Sequence, residues 1–372
     1  MSYRRASRAL GLVALLGQAL AAHELPRPSG KYNVGATRHV IPFVNPNDPF
    51  WPANLETDYL ATVYYPTLDP VPEPEKYLQP EMAAEMEKQW EFYPGSLAAI
   101  EARIAWNASY LDQVRGPTLF FGPGGGGPPT DAYTVLISEL VSRGYVVAGL
   151  DHFYEQPFLR YPNGTGVPGL PLAHSFTQEE LESLYDARLR DLVHFVDLWP
   201  LFVQDQQAPF NVSGPHGALG HSFGGSLSVS AAINASSVGA AINMDGTLWG
   251  NLVTNSSASD VKKPTLLFGQ EGHTGETDPT FAWFTAQQTG WWRMINVKGA
   301  THLCFSDLAY WTTLGISDQT FGTVEGHRMM EITDTIVGAF FAEFLLGKPG
   351  DPILDEPQSD WPDIIIDDGS HL

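Results

Sequence analysis

The apolar positions of this chain fall into two kinds of run. Short continuous ones, "PTLFFG" (117–122), "YVVAGLD" (145–151), "HGALGHS" (216–222), "GAAINMD" (239–245), "PTLLFGQ" (264–270) and "RMINVKG" (293–299), are bounded by glycine, proline or polar residues. Such runs suit strands covered on both faces, as in a parallel sheet. Between them the spacing changes to three and four. Leu181, Leu184, Tyr185, Leu189, Leu192, Val196 and Trp199 predict an amphipathic helix over 178–199, with Thr177 and Glu180 placed as a capping box. Helices are also expected at 132–143, after Ser222, and at 329–346. Two earlier β-rich stretches, 38–44 and 58–67, are close enough to pair as a hairpin-like edge. Alternation at this spacing predicts an α/β fold, a mostly parallel central sheet flanked by helices.

Residues 75–115 interrupt the alternation with a helix-prone segment carrying Met82, Met86, Trp90 and Phe92. Two readings fit it: a cap over a site, or a helical excursion packed on the domain. The last residues, "DEPQSDWPDIIIDDGSHL", read as an acidic solvated tail with one docked apolar patch.

Residues 1–22 stand apart. Arg4, Arg5 and Arg8 precede the apolar stretch "ALGLVALLGQAL" and small residues at 19–21, the pattern of a cleaved secretory signal, too short to span a bilayer. Five N-x-[ST] triplets, at Asn107, Asn163, Asn211, Asn234 and Asn255, then become candidate glycosylation sites of a secreted protein. The single cysteine, Cys304, excludes an internal disulfide and reads as a small buried apolar residue. Removing the three leader arginines takes the formal charge from −22 to −25. That surface argues against nucleic-acid partners and against attraction to anionic membranes, and no second apolar run reaches membrane length.

The chemistry centres on Gly220-His221-Ser222-Phe223-Gly224, a G-x-S-x-G pentapeptide between an apolar strand and the small-residue helix "GGSLSVSAA". This is the context in which the serine of a tight strand-to-helix turn acts as a nucleophile, with glycines two residues to either side. A serine needs a base and the base needs a carboxylate. His302, in the loop after the last predicted parallel strand, is the expected base; His327 lies at the start of the terminal helix, His221 is expected to pack, and His152 and His174 to bond within loops. Two acids compete: Asp245 ends the strand after the nucleophile helix, and Glu271 ends the next one. The expected oxyanion donors are the amide of Phe223 and one from the glycine-rich loop "GPGGGGPP", at Gly125 or Gly126. That loop lacks the Lys-Ser or Lys-Thr of a phosphate-binding loop. Phe153, Trp249 and Phe305 are expected to line an apolar substrate pocket, with Phe158, Tyr310 and Trp311 as further candidates. No metal or cofactor is expected.

The blocks "GHSFGG", "MDGTLWG" and "KGATHLCFSDL" resemble those of the α/β-hydrolase superfamily and, more narrowly, of the secreted platelet-activating-factor acetylhydrolases, also called lipoprotein-associated phospholipases A2. The resemblance implies the α/β-hydrolase fold and a Ser222-His302-Asp245 triad, with Asp245 favoured over Glu271. It also implies calcium-independent hydrolysis of short or oxidised acyl groups. The oxyanion loop "FGPGGGG" is closer in character to that of carboxylesterases and lipases. It keeps open a carboxylesterase, lactonase or polyester hydrolase acting on a non-phospholipid ester, and a hydrolase-fold acyltransferase or cyclase. From another class, the alternative is a non-catalytic binding protein on a hydrolase scaffold.

Overall fold

The computed structural model describes residues 23–370 apart from Asn47, Asn54 and Asn255. The expected leader and the Asn255 glycosylation site therefore lie outside the described residues. Ten strands form one sheet: β1 (Asn33–Pro42), β2 (Asp58–Thr67), β3 (Ala105–Trp106), β4 (Thr118–Gly122), β5 (Val146–Asp151), β6 (His216–His221), β7 (Val238–Met244), β8 (Thr265–Gln270), β9 (Trp292–Val297) and β10 (Ile364–Gly369). Their order across the sheet is β10-β9-β8-β7-β6-β4-β5-β2-β1-β3. The six strands from β9 to β5 run parallel, and β2 joins β5 antiparallel. With its flanking helices this is an α/β-hydrolase fold.

Why the parallel strands read as continuous apolar runs is visible in their alternation. Leu119, Phe121, Leu219, Ile242, Phe268 and Ile295 face one core cluster, packed by helices α2 (Thr134–Ser142) and α6 (Gly326–Leu346). Phe120, Ala218, Ala241, Leu267 and Met294 face another, packed by α3 (Gln178–Asp205), α4 (Phe223–Asn234) and α5 (Pro279–Thr285). Each large apolar side chain buried in this way contributes about 1.5–3 kcal/mol relative to exposure.

Helix α3 opens with the expected capping box: Thr177 accepts the Glu180 amide and the Glu180 carboxylate accepts that of Thr177. It runs past the expected end, through Pro200 to Asp205. Proline removes one helical hydrogen bond, at about 3 kcal/mol in a helix interior. Burial of Phe202 and Val203 beyond it offsets that cost.

Two other expectations change. Residues 364–369, read as part of a solvated tail, form β10 and pair antiparallel with β9, because Ile364, Ile365 and Ile366 complete the sheet beside Val297, Asn296 and Ile295. The 75–115 segment holds one regular helix, α1 (Pro80–Gln89). It packs inward, with Met82, Met86 and Phe92 buried and Phe92 edge-on to Trp311 at 6.1 Å. The pocket around Ser222 is lined instead by the loops after β4, β6, β7, β8 and β9, by Phe176 and by Leu181 in the first turn of α3, so the cap reading does not hold for this site.

Candidate active site

Consecutive parallel strands end along one edge of the sheet, where open α/β sheets place their ligands. Ser222 follows β6 directly, with φ +56° and ψ −122°. This left-handed backbone costs a non-glycine residue about 1–3 kcal/mol and persists only where the surroundings enforce it. Here the Ser222 amide donates to the Met244 carbonyl at 2.7 Å, and its carbonyl accepts from Gly225 at 2.9 Å. The flanking glycines are steric necessities. A Cβ at Gly224 would sit 2.0 Å from the Gly122 carbonyl oxygen, and one at Gly220 2.4 Å from the backbone of Gly224.

Asp245 follows β7, also at φ +56°. The turn is closed by buried Asn243, whose amide nitrogen donates to the Gly246 carbonyl at 2.6 Å and whose oxygen accepts the Gly246 amide at 2.9 Å. Asp245 Oδ2 accepts from His302 Nδ1 at 2.6 Å. That contact puts the proton of neutral His302 on Nδ1 and leaves Nε2 able to accept one. Glu271 lies elsewhere: its carboxylate accepts the amide of Gly299 at 2.7 Å, tying down the loop that leads to His302. Of the two competing acids, the structure brings Asp245 to the histidine.

Asp245 Oδ1 has two further partners, the Gln270 amide at 2.8 Å and Nδ1 of His273 at 2.7 Å. Burial by itself would raise the Asp245 carboxyl; hydrogen bonds from His273 and His302, with their charge, bring it down to about 2. His273 Nε2 reaches Asp278 Oδ2 at 3.2 Å. Burial opposes a charge on His273, but the two carboxylates carry its imidazole up to about 9. The sequence reading passed over this residue. Its signal was a histidine in "QEGHTGETDP", at the carboxyl end of a parallel strand.

His221 packs as expected and is also hydrogen-bonded at both ring nitrogens. Tyr133 donates to Nδ1 at 2.9 Å, and Nε2 donates to the His302 carbonyl at 2.8 Å. Burial, reinforced by neighbouring His302, pushes it down to about 3, so it holds the His302 backbone as a neutral ring.

Among the oxyanion candidates, Phe223 opens α4 and lines the pocket with Gly125 and Ser222. Gly126 is a correction. Its amide donates to Glu155 Oε1 at 2.6 Å and is turned away from the pocket. Glu155 is itself clamped by Arg188, at 2.6 Å to each carboxylate oxygen, in an ion pair whose side chains are 0–1% exposed. Arg188 also donates to the carbonyls of Pro123 at 2.8 Å and Gly124 at 3.3 Å. In a trans peptide the carbonyl and the following N–H point in opposite directions, so binding the Gly124 carbonyl turns the Gly125 N–H away from Arg188.

The pocket, of about 850 Å³, has Trp249, Phe176, Leu181 and Phe223 on its apolar side and Glu271, His273, Thr277 and Asp278 on its polar side. Trp249 lies where the sequence reading put it. Phe153 and Phe305 do not. Phe153 is fully buried and stacked on Tyr161 at 4.1 Å, and Phe305 turns into the core against Phe268 at 5.1 Å, behind His221. Tyr310 and Trp311 also belong to the core. Cys304 is buried. Among the described residues no group of three or more histidine, cysteine or carboxylate side chains is arranged to hold a metal ion. No helix among them is long and apolar enough to cross a membrane.

A mostly parallel sheet carrying a strained serine after β6, an aspartate after β7 and a histidine after β9 defines an α/β hydrolase. Residues 215–346 match the family model described as platelet-activating factor acetylhydrolase, isoform II. The chain is 28% identical over 295 residues to a probable 1-alkyl-2-acetylglycerophosphocholine esterase of Arthroderma benhamiae, covering 73% of each. A ferulic acid esterase from Streptomyces cinnamoneus superposes with a TM-score of 0.77 at 26% identity, covering 93% of this chain and 99% of that one. The protein is an ester-cleaving α/β hydrolase similar to the platelet-activating-factor acetylhydrolases.

Proposed function

We propose that this chain is a secreted serine esterase in which Ser222, His302 and Asp245 act as a triad on short acyl esters. The observation that carries the reading is the 2.6 Å contact of Asp245 with His302 Nδ1, beside a serine held at φ +56° in the same pocket. Ser222 Oγ attacks the ester carbonyl as His302 Nε2 takes its proton, while Asp245 holds the ring and stabilises the imidazolium. The amides of Phe223 and Gly125 receive the negative charge of the tetrahedral oxygen. Collapse breaks the bond to the alcohol, which leaves with the proton from His302. Water then attacks the acyl-enzyme by the same route and frees the acid.

The pocket suits a small acyl group with an alcohol that carries no net negative charge. Its described lining sets three carboxylates, Asp245, Glu271 and Asp278, against one cation, His273, with no lysine or arginine, so a free anionic head group meets net repulsion there. A second reading, cleavage of aromatic acid esters, is favoured by the aromatic side formed by Trp249, Phe176 and Phe223. The leader-like residues 1–22 and the sequons support secretion and glycosylation; Asn107, Asn163 and Asn234 are exposed and Asn211 is half-buried.

Hydrolysis of p-nitrophenyl esters from acetyl to palmitoyl, together with methyl ferulate, by the wild type and by Ser222→Ala tests the reading. Fluorophosphonate labelling runs in parallel. The expected result is labelling and activity that vanish in the variant and peak at short chains. A folded wild type that neither reacts with the probe nor cleaves any ester of the series overturns it.

A further inference from the structure

We propose that His273 is a positioning residue of the hydrolytic site: held as an imidazolium between Asp245 and Asp278, it fixes the Asp245 carboxylate on His302 and offsets part of the negative charge that faces the base. The proposal rests on the reading of Ser222, His302 and Asp245 as the hydrolytic group.

The charge of His273 follows from its contacts. Nδ1 lies 2.7 Å from Asp245 Oδ1 and Nε2 lies 3.2 Å from Asp278 Oδ2. Ionised carboxylate oxygens only accept, so both ring nitrogens must donate, and an imidazole with two N–H groups is cationic. Its raised protonation range agrees with this. The ring has little freedom to leave. It stacks on Phe281 at 4.4 Å and 16°, and the His273 carbonyl accepts from Asn296 at 3.2 Å. Asp278 is anchored in turn as the N-cap of α5, accepting from the amide and hydroxyl of Thr280 at 2.9 and 2.6 Å.

Asp245 is therefore shared by two imidazoles, one on each oxygen, and its side chain is fully buried. This has two effects. The carboxylate cannot rotate without losing His273 and the Gln270 amide, so Oδ2 stays on His302. In addition, the positive charge of His273 offsets part of the negative charge that Asp245 presents to His302, while Asp278 opposes that offset. The other titratable groups facing the cluster are neutral His221, whose ring centroid is 4.6 Å from that of His302, and exposed Glu271, which lines the same pocket.

Opposite signs at two neighbouring residues make the test specific. His273→Asn keeps a neutral donor for Asp245 and removes the charge. The acid limb of its kcat/KM profile is expected to move up by about half to one pH unit, with kcat down about tenfold and KM within about twofold. Asp278→Asn removes negative charge while His273 remains protonated at the pH of the acid limb, and it moves that limb down. In ¹⁵N-histidine-labelled Ser222→Ala protein at pH 7.5, one imidazole with both nitrogens protonated is expected, lost on adding His273→Asn. This spectrum needs no turnover. The fluorophosphonate test decides the underlying reading separately. In an enzyme that passes it, an acid limb unmoved in both variants, or a His273 imidazole neutral at pH 7.5, overturns the proposal.

Discussion

Arg188 and Glu155 form a fully buried ion pair, 2.6 Å at each contact, whose remaining hydrogen bonds all go to the glycine-rich loop beside Ser222. Glu155 takes the Gly126 amide and Arg188 takes the carbonyls of Pro123 and Gly124. A buried charge pair is a weak source of net stability, because desolvation consumes most of the attraction. What this one does visibly is orient three successive peptides.

Breaking the pair should therefore damage stability and turnover in separable ways. Arg188→Met leaves Glu155 buried and alone, at a cost of about 3–5 kcal/mol in an unfolding titration. Adding Glu155→Gln removes the lone charge and restores most of that loss. The kcat of the double variant, read on p-nitrophenyl acetate, should stay low by about 10²–10³-fold, the typical effect of losing one oxyanion donor. Recovery of kcat together with stability would mean that the loop holds its shape unaided.

The two acids at the sheet edge are distinguishable by rate. Asp245→Asn is expected to lower kcat on the order of 10⁴-fold, since an amide facing Nδ1 no longer fixes the tautomer. Glu271→Gln keeps an oxygen for the Gly299 amide and should cost less than about tenfold. The reverse ranking would assign the carboxylate role to Glu271.

Stability should follow pH through the His273 cluster with a defined sign. The raised His273 contributes fully below its ordinary value of 6.5, and that contribution is lost as pH rises through about 9. The depressed Asp245 and Asp278 contribute fully above 3.8, and theirs is lost as pH falls towards about 2. Urea midpoints of the wild type and His273→Asn should accordingly differ most between about pH 4 and 6.5 and converge above pH 9. A constant difference from pH 5 to 10 would contradict the ion pairing.

Trp249 should set acyl preference. Its amide bonds Ser226 Oγ at 3.0 Å and its ring lies 6.1 Å from that of Phe223, so it forms a fixed apolar side of the pocket. Trp249→Ala is expected to change the ratio of kcat/KM between aromatic or longer acyl esters and acetyl esters on the order of tenfold, since one methylene contact is worth about 1–3 kcal/mol. Rates across the ester series measure it directly.

Local patterns made much of this molecule legible from its amino acids alone. Six continuous apolar runs became the six parallel strands, because a strand buried on both faces has no room for polar alternation. Thr177 and Glu180 marked the start of α3, and Gly220 and Gly224 marked the elbow, because each acts within four residues of its partner. Tertiary structure decided what depends on distant partners. Glu155 and Arg188 stand 33 residues apart and Asp245 and His302 57 apart, and no spacing rule reaches across those separations. The same holds for the failures: Phe153 and Phe305 sit in loops after strands as Trp249 does, yet turn inward because Tyr161 and Phe268 are there to receive them. The amino-acid order by itself determined the six parallel strands and which serine sits on a strained turn. Only the fold decided which carboxylate meets which imidazole, because an ion pair or hydrogen bond depends on a few ångströms of separation that the whole sheet must assemble to set.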